Sequence, residues 1–263
     1  MIIDVHAHLG NINQALFWAA DAPTLERYAE EAGVDYLCVS SARSLMYDTT
    51  EGNLELDRAL KETQKLLGYV VVNPMFPDTR NDMRLISENP KFKGVKIHPD
   101  YHGFNMKSGL IQDYLGEVAE QVSLMLFHVS CMPGTGFAST IDIIRFAEKH
   151  PQTHIIMAHM AGIFQNGIYP YFPNFEGLEM VREAGCKNIY VDTAHHLMYV
   201  YPGVMERMVE LIGADQIVYG TDVPLQGPKQ MRFAIEIIQD LPIPESDKTK
   251  ILSGNARKLL GLS

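Results

Sequence analysis

The sequence predicts an α/β fold, a distorted (β/α)8 TIM barrel, and three observations carry that reading. Eight short β-branched runs alternate with longer amphipathic stretches through the 263 residues. Most of the runs are apolar along their whole length, as parallel strands covered on both faces should be. A chain of about 250 residues is also the size at which eight such units close on themselves.

The strand candidates are residues 2–6, 34–40, 69–73, 94–98, 124–128, 154–158, 189–192 and 217–219. Between the first two, Thr24 to Ala32 begins after Pro23 and ends at Gly33, where a helix C-cap belongs. Residues 54–67 carry apolar side chains at helical spacing and run to Gly68. The stretch 141–150 stops at Pro151, and 201–212 stops at Gly213. Helices that join parallel strands must cross over the sheet. The rival, an open doubly wound sheet, favours a glycine-rich phosphate turn after the first strand. Here the chain has Ala7-His8-Leu9-Gly10-Asn11 instead. No linker, low-complexity tract or long repeat interrupts the alternation, so residues 1–263 read as one domain. Leu241-Pro242-Ile243-Pro244 reads as a turn before a last helical segment. The Tyr/Pro/Phe-rich run from Ile168 to Asn174 reads as an ordered loop over the barrel mouth.

Composition excludes several classes. Hydrophobic residues at 46% and charged residues at 21% supply one large core and rule out a disordered chain. The net charge is −10, from 22 Lys+Arg against 32 Asp+Glu. Without a basic face to displace counterions, a nucleic-acid partner is not expected. Cys38, Cys131 and Cys186 form no CxxC pair and cannot all be bridged, which points to a reducing, cytoplasmic compartment. Met1-Ile2-Ile3-Asp4 has neither a basic nor an apolar signal region. No apolar run reaches membrane-spanning length, so no membrane association is expected either. The expected partner is a small-molecule substrate.

Asp4-Val5-His6-Ala7-His8 is the first chemical signal. Side chains at i and i+2 of a strand share a face, so His6 and His8 can converge on one point. Their place at the carboxyl end of the first strand is where a barrel keeps its site. His98 and His128 close the fourth and fifth strands, His159 follows the sixth, and Asp222 follows the eighth. One rim therefore gathers five imidazoles and a carboxylate. A catalytic zinc takes such ligands and leaves one position open for water.

Asp-x-His-x-His, Lys93-Gly94-Val95-Lys96-Ile97-His98-Pro99, the strand-five histidine and Ala158-His159-Met160-Ala161-Gly162 occur in one order. Tyr219-Gly220-Thr221-Asp222-Val223-Pro224 and Gly254-Asn255-Ala256-Arg257-Lys258-Leu259-Leu260 complete it. From Ile3 to Leu260 the chain resembles the amidohydrolase superfamily, in its amidohydrolase-2 branch of metal-dependent hydrolases and aminocarboxymuconate semialdehyde decarboxylase-like enzymes. The resemblance implies one divalent metal, usually Zn2+, held by His6, His8, His128 and Asp222. It implies that His159 orients the metal-bound water and that Asp222 carries the proton. Some superfamily members bridge two metals with a carboxylated lysine on strand four. Lys96 lies on that strand, one layer below His98, where an ion pair with Asp4 is the plainer expectation. Homodimers are common in this branch.

Substrate contacts are expected from Arg43 after strand two, Asn73 at the end of strand three, and His98. Tyr101, His102, His195 and His196 lie on mouth loops, and Phe17 and Trp18 read as an apolar anchor or wall. Cys131 follows a ligand strand but has no adjacent base to activate it. His150 and His154 sit at the opposite end and read as structural. The leading expectation is a hydrolase that cleaves a C–N or C–O bond of an amide, ester or lactone. The alternative is a carboxy-lyase acting on an aromatic or muconate-type acid.

Overall fold

A computed structural model describes residues 1–11, 20–130, 136–162, 174–194, 203–225 and 227–262. Eight parallel strands follow one another in chain order: β1 Ile3–Leu9, β2 Tyr36–Ser41, β3 Leu66–Val71, β4 Phe92–Ile97, β5 Leu124–Phe127, β6 His154–Met157, β7 Ile189–Asp192 and β8 Ile217–Val218. The sheet curls until its ends meet. Val5 N–H donates to Tyr219 O at 2.9 Å, Asp222 N–H to His6 O at 2.7 Å, and His8 N–H to Val223 O at 2.7 Å. These bonds close the distorted (β/α)8 barrel that the alternation predicts.

The apolar side chains split into two layers, as strand alternation requires. Val5, Cys38, Tyr69, Leu126, Ile156, Tyr190 and Val218 form a cluster drawn from strands around the barrel, which is the lumen. Ala256, Leu259 and Leu260 of the helix Asn255–Leu260 join it, so the C-terminal helix plugs one end. The larger cluster packs the helices against the outer faces of the strands. β1 changes face along its length. Ile3 and Val5 belong to the lumen cluster, whereas Ala7 and Leu9 belong to the outer one. The register with β2 slips between Asp4 and Ala7, and such a bulge re-aims the side chains beyond it.

The helix expected over 54–67 instead spans Thr49–Glu62 and is capped at its start by Asp48, whose carboxylate accepts from Glu51 N–H. Leu66 already belongs to β3, and Gly68 lies inside that strand. A Cβ on Gly68 would stand 2.6 Å from Leu60 Cδ1 and 2.9 Å from the Phe92 ring. The glycine therefore marks a close helix-on-strand approach rather than a helix end. Among the described residues no helix is long and apolar enough to cross a membrane.

Candidate active site

The carboxyl ends of the strands deliver the site. His6 and His8 reach it from β1, and both are buried. His6 Nδ1 lies 2.8 Å from Asp192 Oδ2, which identifies it as the donating nitrogen. His6 Nε2 is left to accept from Lys96 Nζ at 2.9 Å. His8 is held from both sides, with Ser40 Oγ 3.0 Å from Nδ1 and Asp222 Oδ1 2.8 Å from Nε2.

Asp222 is the hub. Its carboxylate lies 3.5 Å from His6 Nε2 and 3.5 Å from His159 Nε2. His6, His159 and Asp222 each offer a ligand atom, all within 4.8 Å of one another, and all three residues are buried. Two imidazoles and a carboxylate at that spacing suit a divalent cation.

Backbone conformation holds this group. Asp222 has φ 61°, and the turn His159–Gly162 runs left-handed, with φ values of 58°, 51°, 55° and 84°. Non-glycine residues avoid this region, at a cost of order 1–3 kcal/mol each. Neighbours pin the turn. His159 N–H donates to Asp192 Oδ1 at 2.8 Å, and Thr140 Oγ1 donates to Ala161 O at 3.0 Å. Gly220 also has to be small, because a Cβ there would lie 3.1 Å from His6 Cβ and 3.2 Å from Asp192 Cβ.

One expected contact is replaced by others. Lys96 makes no ion pair with Asp4, whose carboxylate is taken up by other donors. Asp4 turns to Thr221, accepting from its N–H at 3.1 Å and from its hydroxyl, and to His6 N–H at 3.0 Å. Lys96 reaches past it to His6. Burial pulls the Lys96 ammonium down to about 8, against the opposing pull of Asp222 and Asp192. Burial pushes Asp4 up to about 7, its hydrogen bonds notwithstanding.

His128, expected among the ligands, stands beside the His6–His159–Asp222 group. Its Nε2 is 2.9 Å from Asp100 Oδ2, and its ring meets His159 edge-on at 4.8 Å. Ser130 Oγ at 2.8 Å and Phe137 N–H at 3.1 Å complete the clasp on Asp100. His98 stacks face-to-face on His128 at 3.8 Å, and Tyr101 stacks on His98 at 4.1 Å. Burial holds the imidazole of His98 well below the usual histidine range, with His128 and Lys96 adding to the effect.

Asn73 is buried and makes a turn, its Oδ1 accepting from Met75 N–H at 3.0 Å. Arg43 is exposed on the short helix Ala42–Met46. His150 packs on Phe146 at 4.4 Å and His154 lies near Tyr190 at 5.7 Å, in keeping with structural roles. Phe17, Trp18, Cys131, His195, His196 and residues 168–173 of the expected loop lie outside the described residues.

Sequence reading passed over Asp192 and Asp100. Asp192 had a usable signal, since it closes β7 at the same rim as the histidines. Asp100 had less, as the second residue of a loop helix, Pro99–His102.

Fold and site together define a (β/α)8 enzyme with buried imidazole and carboxylate donors at its mouth, suited to a divalent metal. The chain belongs to the amidohydrolase family, whose sequence profile matches residues 3–262. No curated relative matches by sequence. Among solved structures, 2,6-dihydroxybenzoate decarboxylase complexed with 2,6-dihydroxybenzoate superposes with a TM-score of 0.72 at 16% identity, covering 100% of this chain and 98% of that one. The 5-carboxyvanillate decarboxylase of Sphingomonas paucimobilis gives 0.76 at 13% identity, covering 100% and 99%. A dihydroxybenzoic acid decarboxylase from a Polaromonas species, with bound manganese and 2-nitroresorcinol, gives 0.69 at 16%, covering 99% and 97%. At these identities the likeness is one of fold.

Proposed function

We propose that the protein is a metal-dependent carboxy-lyase that releases CO2 from a small aromatic or muconate-type acid. The observation that carries this reading is the whole-length likeness to decarboxylases of dihydroxybenzoate and carboxyvanillate. The mouth adds support, because stacked flat rings, His98 on His128, stand directly beside the metal-suited group.

His6, His8, His128 and Asp222 are the proposed ligand set for one divalent ion. Zinc follows from the resemblance, and manganese is the ion in the Polaromonas decarboxylase. When bound, such an ion supplies Lewis acidity toward a substrate oxygen. The chain's own residues do the rest. Asp192 fixes which nitrogen of His6 faces the site, and Ser40 does the same for His8. Val129 O, 3.1 Å from His159 Nδ1, turns His159 Nε2 toward Asp222. His98, held between the rings of His128 and Tyr101, offers the substrate only its ring edge.

Asp222, as the carboxylic acid, gives its proton to the ring carbon that bears the carboxylate. The bond from that carbon to the carboxylate then breaks. Its electron pair restores the aromatic ring, CO2 leaves, and Asp222 regains a proton from water.

The test is to load the protein with manganese or zinc and offer two panels. One contains 2,6-dihydroxybenzoate and 5-carboxyvanillate; the other contains lactones, esters and amides. CO2 evolution from the first panel supports the reading. Acid release from the second without CO2 would establish the hydrolase instead.

A further inference from the structure

Among the described residues, Lys96 is the one Lys or Arg whose side chain is buried, and it is fully so. Val95 and Ile97 on either side of it belong to the outer layer, so strand alternation turns Lys96 into the barrel lumen. Three carboxylates of the interior, Asp4, Asp192 and Asp222, are buried as well. A charge taken out of water is costly unless it is paired and hydrogen-bonded. An ammonium has three N–H donors. Among the described residues Lys96 Nζ makes one hydrogen bond, to His6 Nε2 at 2.9 Å. Asp222 and Asp192 attract it as well.

His6 decides what that bond means. Its Nδ1 is committed to Asp192 Oδ2 at 2.8 Å, so the ring keeps a single lone pair, on Nε2. Asp222 Oδ1 lies 3.5 Å from the same nitrogen, and both residues belong with His159 to the metal-suited group. A lone pair that accepts an ammonium proton is not available to a metal, and two cations at one nitrogen repel each other. The Lys96 ammonium and a divalent ion are therefore alternatives at His6. The lysine can give way, because its charge sits on a flexible four-carbon stem.

We propose that Lys96 is a built-in counter-cation that competes with the divalent ion for His6 Nε2. It holds His6 in place beside Asp192 and Asp222, and an ion enters only by displacing it, which lowers the affinity of the site. Lys96 is thus a positioning residue and not a ligand. The proposal rests on the metal site of the reading above and is independent of the reaction run there.

The test uses two variants. Lys96→Met keeps an unbranched stem without the charge, and Lys96→Gln keeps an N–H donor without the charge. Manganese alone is titrated by calorimetry into native protein and both variants at a single neutral pH, and thermal denaturation is recorded with and without manganese. One ion per chain is expected in all three. Lys96→Met should bind it at least about 10-fold more tightly than the native protein, and Lys96→Gln more tightly by a smaller factor. Without manganese, Lys96→Met should melt at least about 3 °C below native, because three carboxylates lose their buried cation, and saturating manganese should close that gap. A lysine that serves packing alone would lower the melting temperature equally with and without manganese and leave affinity unchanged, and that result overturns the proposal. Weaker binding by both variants also overturns it. So do two ions per native chain falling to one or none in Lys96→Met, which would make Lys96 a bridging ligand. Variants that fold only with manganese support the proposal, since the ion then replaces the lost charge; variants that stay unfolded in excess manganese overturn it. Native protein that binds no manganese retires the metal-dependent reading and this proposal together. Native binding with unchanged affinity in the variants retires this proposal alone.

Discussion

Asp192 grips two histidines at once: Oδ2 lies 2.8 Å from His6 Nδ1, and Oδ1 accepts the backbone N–H of His159 at 2.8 Å. One carboxylate at the end of β7 therefore sets the ring orientation of a β1 residue and the left-handed turn after β6. Burial pushes Asp192 upward, while His159, Lys96 and two backbone N–H groups pull it down. Such outer partners are expected to be worth about 10- to 100-fold in metal affinity. Asp192→Asn should weaken manganese or zinc binding by that factor in calorimetric titration. Unchanged affinity would separate Asp192 from the site.

Asp222 is asked to move a proton as well as to sit among the donors. Asp222→Asn should lower kcat by at least about 10²-fold while leaving metal largely bound. Metal content and steady-state turnover on the same sample check it. Near-normal turnover removes the proton-carrier assignment.

Gly220 tests the packing beneath the site. Gly220→Ala inserts a methyl 3.1 Å from His6 Cβ and 3.2 Å from Asp192 Cβ, so those side chains must shift by a few tenths of an ångström. Overpacking of this kind costs about 1–3 kcal/mol. Thermal denaturation should show that loss, accompanied by weaker metal binding because His6 is the side chain displaced.

Asp100 gives a pH signature. Burial pushes its carboxyl up, but hydrogen bonds from His128, Ser130 and Phe137 outweigh burial and hold it below the usual carboxylate range. A depressed folded value means that the stability it contributes is present in full above the unfolded value near 4 and is lost as pH falls through the folded value. Asp100→Ala should cost about 1–2 kcal/mol at neutral pH. The deficit should stay constant between about pH 6 and 8 and close on acidification below about pH 4. Urea denaturation across that range measures it.

Much of the barrel and its rim was legible because both are written in local pattern. Buried parallel strands are short apolar runs, and His6, His8, His98, His128, His159 and Asp222 fall at or just past their carboxyl ends. What local pattern does not contain is which rim residues touch. His6 and Asp192 are separated by 186 positions, and His6 and Lys96 by 90. The β1 register shift, which turns Ala7 and Leu9 to the outer layer, is equally silent. The 54–67 helix overran for a different reason. Leu66 and Leu67 fit helical spacing and strand alternation alike, and Gly68 reads as a cap until the close approach of Leu60 and Phe92 is known.

The account stands on a divalent ion being held by His6 and His8 of β1, His128 after β5 and Asp222 after β8. Anomalous diffraction from crystals grown with excess manganese tests this most directly. The account predicts one peak per chain within bonding distance of His6 and Asp222. Crystals with full manganese in the solvent, no peak at that position and Lys96 still hydrogen-bonded to His6 would contradict it.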